Sequence, residues 1–127
     1  MITVRLPWPL PYLSPNSRAH WSNKAKQANW YRHECGRRVR DEIAALHDEK
    51  SSLKALNERG VCLSIRFCPP DKRRRDLDNM LASIKAGIDG IADALGVDDQ
   101  HFSLRLERGE PKKGGEVVAV ITEGEQA

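Results

Sequence analysis

The stretch GVCLSIRFCPPDKRRRDLDNMLASIKAGIDGIADALG, residues 60–96, decides the fold. Apolar residues occupy alternate positions over 61–67, which predicts a half-buried strand that two prolines bring to an end. Over 77–95 apolar residues recur every three or four positions, which predicts one amphipathic helix that stops at the final glycine. The interior glycines Gly87 and Gly90 each weaken a helix by about 1 kcal/mol, so a break before Gly90 is an open alternative.

The same signals continue on both sides of this stretch. Alternating apolar residues predict three further strands, over 2–6, 102–106 and 117–122. A three- and four-residue apolar repeat predicts a helix from about Ser22 to residue 47, capped by Ser22 or Asn23. The element order is then β-α-β-α-β-β, an α+β fold in which two helices cover one face of a mixed sheet. The last two strands are expected to pair with each other across a turn at 111–115.

Three segments fall outside these elements. Residues 7–21 include four prolines and are expected to form an ordered, proline-rich arm. The polar segment 48–58 is either a frayed extension of the first helix or a loop, and residues 123–127 are expected to be a loose tail. The length of 127 residues is typical of one domain, which we place at 1–127.

Composition excludes several classes of protein. No run approaches the roughly 18–20 apolar residues that a membrane span needs, and the first residues lack the pattern of a secretory signal. The three cysteines, Cys35, Cys62 and Cys68, are odd in number and form no C-x-x-C motif, which argues against a disulfide framework or a zinc finger. We therefore expect a cytoplasmic protein without membrane partners.

The charge is unevenly distributed along the chain. The net charge is +3, but residues 1–70 carry 12 Lys or Arg and only six Asp or Glu. The excess is concentrated in the first predicted helix and just before it, at Arg18, Lys24, Lys26, Arg32, Arg37, Arg38 and Arg40. Such a cluster is typical of a phosphate-binding surface, and an ordinary solvated helix face is equally compatible with it.

Acidic residues lie at both ends of the second predicted helix. Asp76 and Asp78 stand at its start, and Asp98 and Asp99 follow its end. Carboxylates about 4 Å apart repel by roughly 4 kcal/mol at an effective dielectric near 20, so a fold that gathers them needs a cation. Oxygen ligands alone indicate Mg²⁺ or Mn²⁺, and the adjacent basic run 72–75 offers phosphate contacts. One straight helix would hold the two pairs roughly 25–30 Å apart, which a single site does not allow.

Each of these residues also has a simpler interpretation. Acids at a helix start stabilise the helix dipole by about 0.3–1 kcal/mol, and Asp98 with Asp99 is also typical of a turn. Lys85 lies seven residues after Asp78 on the same predicted helix face, and it could equally pair with Asp89. The tryptophans Trp8, Trp21 and Trp30 are more typical of core or interface anchors than of base-stacking platforms.

Three segments stand out when they are taken in order. They are Leu6-Pro7-Trp8-Pro9 with Ser14-Pro15-Asn16, then Arg73-Arg74-Arg75-Asp76-Leu77-Asp78-Asn79, then Val97-Asp98-Asp99. Together they resemble the RusA family of Holliday junction resolvases. The resemblance covers roughly residues 2–122 in matching order. It implies a small homodimeric α/β nuclease that uses Mg²⁺ or Mn²⁺ to nick four-way DNA junctions in two strands of like polarity.

The resemblance also implies roles for particular residues. Asp76, Asp78 and Asp99 match the catalytic carboxylates, and Asp98 matches an acidic neighbour that is a ligand or a support. The family's functional lysine falls at Ala82, so Lys85, one turn later, is the candidate to replace it. The implied DNA contacts are the basic residues Arg73, Arg74, Arg75, Lys24, Lys26, Arg37 and Arg38.

The sequence therefore predicts a metal-dependent endonuclease that resolves Holliday junctions in DNA recombination and repair. In this interpretation Asp76, Asp78, Asp98 and Asp99 bind the metal, and Lys85 assists catalysis. A non-catalytic protein that binds junction DNA is the alternative, because Ala82 replaces the family's lysine. A nuclease for other branched DNA or for RNA is a third possibility. The role of residues 47–60 is left open.

Overall fold

Four strands form one mixed sheet in the computed structural model, which describes residues 1–15, 17, 18 and 20–124. The strands are β1 (Ile2–Pro7), β2 (Val61–Cys68), β3 (Phe102–Arg108) and β4 (Glu116–Glu123). The helices are α1 (Trp21–Ala44), α2 (Glu49–Arg59), α3 (Leu77–Ser83) and α4 (Lys85–Leu95). Two short 3-10 turns cover Pro11–Leu13 and Asp99–His101. The predicted α+β class and mixed sheet are confirmed, and the described residues form four α-helices rather than two.

The strand order β1-β4-β2-β3 differs from the prediction. β4 does not pair with β3; it lies between β1 and β2 and is antiparallel to both. β3 instead runs parallel to β2 at the edge of the sheet. The apolar content of the strands explains the difference. β4 is apolar from Val117 to Ile121 and occupies the central position. Most of β3 is exposed, which is compatible with a position at the edge of the sheet.

The core lies on one face of the sheet. Side chains that alternate along β1, β2 and β4 are buried on this face, and α1 and α4 add their buried sides to the same cluster. Glycines let these two helices approach each other closely. A β-carbon at Gly90 would lie 2.1 Å from the carbonyl oxygen of Arg32, and one at Gly87 would lie 2.6 Å from the Tyr31 ring. These glycines therefore set the contact between α1 and α4 rather than a break in α4.

The predicted second helix is indeed broken, but at Ile84, between α3 and α4. Just before the break, the Ser83 hydroxyl donates to the carbonyl oxygen of Asn79 at 2.9 Å, a contact that often bends helices. α4 ends as predicted at Gly96, which adopts a left-handed conformation with φ 69°. Segment 48–58, predicted as an extension or loop, is instead mostly the separate helix α2.

Helix α1 begins one residue earlier than predicted and ends at Ala44 rather than near residue 47. Its cap is neither Ser22 nor Asn23, because the side chain of His20 accepts a hydrogen bond from the backbone of Ser22 at 3.2 Å. A histidine is an uncommon cap, so residue preferences alone favoured the neighbouring serine.

The proline-rich arm is tied to the domain at several points. The Tyr31 hydroxyl donates to the carbonyl oxygen of Pro7 at 2.8 Å, and Trp8 packs edge-on against Phe67 with ring centroids 6.4 Å apart.

Residues 16 and 19 of the arm, and 125–127 of the predicted tail, lie outside the described residues. Residue 123 belongs to β4, and the backbone of Gly124 donates to Gly60 at 3.0 Å, so the start of the tail is ordered. In the described part of the chain, no helix has the length and apolar character needed to cross a membrane.

Candidate active site

The first predicted carboxylate pair stands where the loop after β2 becomes α3. Asp76 is the N-cap residue of α3, yet its side chain makes no capping hydrogen bond. Asp78 lies in the first turn, and its Oδ1 accepts from the backbone of the next residue, Asn79, at 3.0 Å. Both side chains are exposed. The fold therefore presents two accessible carboxylates beside the start of a helix.

The second pair follows the end of α4. The Asp98 carboxylate caps the 3-10 turn that begins at Asp99, because its Oδ1 accepts from the backbone of Gln100 at 2.9 Å. The turn interpretation thus holds for Asp98. Asp99 is exposed, and its carboxylate makes no hydrogen bond or ion pair with another described residue. Asp99 is consequently the less constrained ligand of the two.

A cleft of about 400 Å³ lies beside this second pair and is called the acidic cleft below. Its lining residues come from α1, from α4 and from the turn that follows α4; they are Arg32, Asp89, Ala92, Asp93, Gly96, Val97, Asp98 and Asp99. Asp76 and Asp78 are not among them. The structure therefore groups Asp98 and Asp99 with two acids of α4 rather than with the first pair.

One acid of the cleft is already neutralised. Arg32 of α1 donates to both oxygens of Asp93, at 2.7 and 2.9 Å, and this pairing lowers the pKa of the Asp93 carboxyl. Asp89, Asp98 and Asp99 line the cleft without an ion pair to another described residue. The sequence prediction missed Asp89 and Asp93 as cleft residues. Their four-residue spacing on one helix, just ahead of Asp98, was an available signal.

The carboxylates fit a hard cation by donor type, because Mg²⁺ and Mn²⁺ prefer oxygen ligands. Within the described residues, however, no three or more His, Cys, Asp or Glu side chains come together in an arrangement that could hold a metal ion. The two predicted pairs are therefore suitable in chemistry and exposure, but they are not preassembled around one point.

The basic run before Asp76 divides into two kinds of residue. Arg73 and Arg74 are exposed, and neither side chain makes an ion pair with a described residue. Arg75 is only 21% exposed and pairs with Asp71 at 2.9 Å. Its guanidinium lies 5.7 Å from the centre of the Trp8 ring, a cation–π distance. The charge of Arg75 is thus largely engaged within the protein, whereas Arg73 and Arg74 are available to a ligand.

Lys85 is the exposed first residue of α4. Because the helix breaks at Ile84, Lys85 and Asp78 belong to different helices, and the prediction that they share one continuous helix face is wrong. The alternative ion pair between Lys85 and Asp89 is also absent from the described contacts. Ala82 is exposed near the end of α3.

The basic residues of α1 also differ in availability. Arg37 and Arg38 both pair with Glu34, at 2.6 and 2.9 Å, and Arg37 also pairs with Asp41 at 2.9 Å. Hydrogen bonds from Arg37 and Arg38 lower the pKa of Glu34 to about 2. Their positive charge is therefore balanced locally.

The two lysines in the first turns of α1, Lys24 and Lys26, have no acidic partner among the described residues. The Lys24 ammonium donates to the carbonyl oxygen of Ser17 at 2.8 Å, and neither Lys24 nor Lys26 pairs with a described carboxylate. These two lysines are thus better placed to attract an anion than Arg37 and Arg38.

Comparison with known proteins gives two relatives, and no family model matches the sequence. One relative is the "Crossover junction endodeoxyribonuclease rusA" of Enterobacteria phage HK97, 29% identical over 116 residues, which cover 90% of this chain and 91% of the phage protein. The other, from Xylella fastidiosa (strain Temecula1), bears only the name "Uncharacterized protein"; it is 41% identical over 126 residues, which cover 96% of this chain and 76% of the relative. At that identity and coverage, the chain belongs to the same protein family as the Xylella fastidiosa protein.

Proposed function

We propose that the protein is a metal-dependent endonuclease that resolves four-way DNA junctions by paired nicks. One observation carries the proposal. Exposed carboxylates stand at the start of α3 and after the end of α4, in a chain that is similar over 90% of its length to a crossover junction endodeoxyribonuclease. The exposed Arg73 and Arg74 directly precede the first carboxylates, which suits an anionic substrate.

In this proposal the carboxylates of Asp76, Asp78, Asp98 and Asp99 would hold Mg²⁺ or Mn²⁺. The chemistry that such an ion would supply there is activation of a water molecule and charge stabilisation of the leaving oxygen of the phosphodiester. Asp99 and Asp76 contribute carboxylates that no protein group competes for among the described residues. Asp98 also keeps its turn in place, through its hydrogen bond to the backbone of Gln100.

The cationic residues hold and orient the substrate strand. Arg73 and Arg74 lie exposed just before Asp76, and Lys85 is the exposed first residue of α4; in this proposal all three bind phosphate oxygens by charge-assisted hydrogen bonds. Lys24 and Lys26 contact the DNA backbone further away, which positions the protein without selecting sequence. A homodimer supports the two cuts, because a two-fold axis places two identical sites on symmetry-related strands of a junction.

A cleavage assay tests the proposal. An end-labelled four-way junction and a linear duplex of matched sequence are incubated with the protein in Mg²⁺, in Mn²⁺ and in EDTA. We expect symmetric nicks in the junction alone, which EDTA abolishes. Asp78→Asn should remove cleavage and leave junction binding largely intact, because the exposed amide can still accept from the Asn79 backbone. Glu58→Gln, an exposed acid of α2, is the matched control and should cleave normally.

A second candidate function is non-catalytic binding of junction DNA. It is favoured by Ala82, which offers no charge, and by the described carboxylates, which are not gathered around one point. A junction that is bound but not nicked with any divalent cation would support this function over the first. Cleavage of flaps, forks or RNA duplexes in preference to junctions would instead redirect the proposal to another branched substrate.

A further inference from the structure

Trp21, the first residue of α1, is the most exposed tryptophan among the described residues. Trp21 is 74% exposed, although a large aromatic side chain is ordinarily buried at a core or an interface. The residues that follow on the same side of α1, one and two turns later, are the exposed Ala25 and the half-buried Ala28. Their small side chains leave access to the Trp21 ring from that side.

The position of Trp21 follows from how α1 lies against β1. The Tyr31 hydroxyl donates to the carbonyl oxygen of Pro7 and the Arg38 guanidinium donates to that of Arg5, so α1 runs antiparallel to β1. Trp21 precedes Tyr31 by ten residues, roughly 15 Å of helix. The N-terminal turns of α1 therefore extend beyond the end of the sheet at which β1 and β2 finish, the end from which the chain continues to Asp76.

Trp21 and Arg32 also lie on the same side of α1. Eleven residues make slightly more than three full turns, so their side chains are about 20° apart around the helix axis. Trp21 therefore lies on the same face of α1 as Arg32, which lines the acidic cleft three turns later. Trp30, nine residues from Trp21, lies half a turn away and is 49% exposed on the opposite side of the helix.

Charge indicates what kind of partner this end of the molecule attracts. The first 33 residues contain no Asp or Glu, and they contain five Lys or Arg. Arg5 pairs with Glu116 and Arg32 with Asp93, whereas the other three, Arg18, Lys24 and Lys26, pair with no described carboxylate. An exposed aromatic ring among unpaired cations is the combination that single-stranded nucleic acid recognises, by base stacking and by phosphate contact.

We propose that Trp21 stacks on an unpaired base of branched DNA, while Arg18 and Lys26 bind neighbouring phosphates. The inference rests on the proposed function and deepens it, because it assigns a residue that distinguishes branched from linear DNA. In a linear duplex each base is already stacked and offers no free face to Trp21, whereas the bases at a branch point can open. Stacking depends little on base identity, so this contact selects structure rather than sequence.

Binding measurements on matched tryptophan variants test the inference. Fluorescence anisotropy is recorded in EDTA, which prevents cleavage, with a four-way junction and with a linear duplex of the same arm sequence. Trp21→Ala should weaken junction binding roughly 5- to 150-fold and duplex binding far less, and Trp21→Phe should retain most of the affinity. Trp30→Ala, on the opposite side of the same helix, should bind both DNAs like the wild type. Lys26→Gln should weaken both DNAs alike and reduce the slope of log K against log salt by roughly 0.7–0.9.

The possible outcomes separate this inference from the function on which it rests. A wild type that binds and nicks junctions, together with an unaffected Trp21→Ala, overturns the inference and leaves the function intact. Equal losses in Trp21→Ala and Trp30→Ala also overturn it, because they would reflect the helix rather than the ring. If Trp21→Ala changes only self-association in light scattering, the ring contacts a second copy and the inference is wrong. A wild type that binds no DNA overturns the proposed function itself.

Discussion

The guanidinium of Arg75 lies over the ring of Trp8, 5.7 Å from its centre, and joins the proline-rich arm to the loop that carries Asp76. Arg75 also donates to the carboxylate of Asp71 at 2.9 Å and to the carbonyl oxygen of Arg73 at 3.1 Å. Arg108 of β3 in turn donates to the carbonyl oxygen of Arg75 at 2.7 Å. Three separate parts of the chain thus fix the segment immediately before the first carboxylates.

We expect that Asp71→Asn slows junction cleavage about ten-fold while the melting temperature changes little. The substitution removes the charge that holds Arg75, although the new amide can still accept from the backbone of Arg73. A slight displacement of a catalytic group can lower the reaction rate by up to roughly 100-fold. Cleavage rates and amide hydrogen exchange of residues 71–76 measure the effect, with Lys72→Gln as the exposed neighbouring control. Unchanged exchange together with unchanged cleavage would show that Arg75 does not position this loop.

Glu34 provides a prediction about pH. The hydrogen bonds from Arg37 and Arg38 lower its pKa from 4.5 to about 2 in the folded protein. A carboxyl group with a depressed folded pKa stabilises the fold fully above its unfolded pKa, and this contribution is lost as the pH falls through the folded pKa. Glu34→Gln should therefore lower the melting temperature by a few degrees at pH 7.

The difference between wild type and Glu34→Gln should shrink as the pH falls from about 4.5 to about 2. Thermal unfolding followed by circular dichroism across this range checks it. Glu110→Gln, at an exposed acid in the loop after β3, serves as the control for loss of a surface charge. A difference that stayed constant down to pH 2 would mean that the ion pairs with Arg37 and Arg38 do not stabilise the fold.

The contact between α1 and α4 predicts that two similar substitutions have unequal effects. Gly90→Ala places a β-carbon 2.1 Å from the carbonyl oxygen of Arg32, so the backbones must move apart, at a cost of roughly 1–3 kcal/mol. At Gly36 the nearest backbone atom would be 3.0 Å away. There the helix propensity of alanine, up to about 1 kcal/mol better than that of glycine, offsets the milder contact. Urea unfolding should show a clear loss for Gly90→Ala alone, and equal losses would contradict the packing described.

Local patterns allowed most of the secondary structure to be predicted, because apolar periodicity depends only on neighbouring residues. The four strands and helix α1 were found in this way, with small errors at their ends. Helix α2 was missed because Leu53 and Leu56 are nearly its only large apolar residues, and polar side chains dominate the rest. The central position of β4 was missed because strand order depends on contacts between residues far apart in the chain.

Contacts between residues far apart in the chain also limited the prediction of the candidate site. The residue types and spacing at Asp76, Asp78, Asp98 and Asp99 predicted a carboxylate site, and the structure shows that these four residues are exposed. The sequence did not reveal that Arg32 reaches Asp93, 61 residues away, or that α1 forms a wall of the acidic cleft. Nor did it reveal that Arg75 is engaged by Trp8 and Asp71, because cation–π contact leaves no spacing pattern.

The two aspartates after α4 predict separate effects on activity and stability. Asp99→Asn should reduce cleavage at least 100-fold without changing the melting temperature, because its carboxylate has no partner among the described residues. Asp98→Asn keeps an oxygen that can cap Gln100, so the turn should persist while the charge is lost. Asp98→Ala removes the cap as well and should destabilise the protein by roughly 0.5–2 kcal/mol. Comparing cleavage rates and urea unfolding for the three variants separates ligand from support: if Asp98→Asn cleaves normally and Asp98→Ala does not, Asp98 supports the turn that presents Asp99.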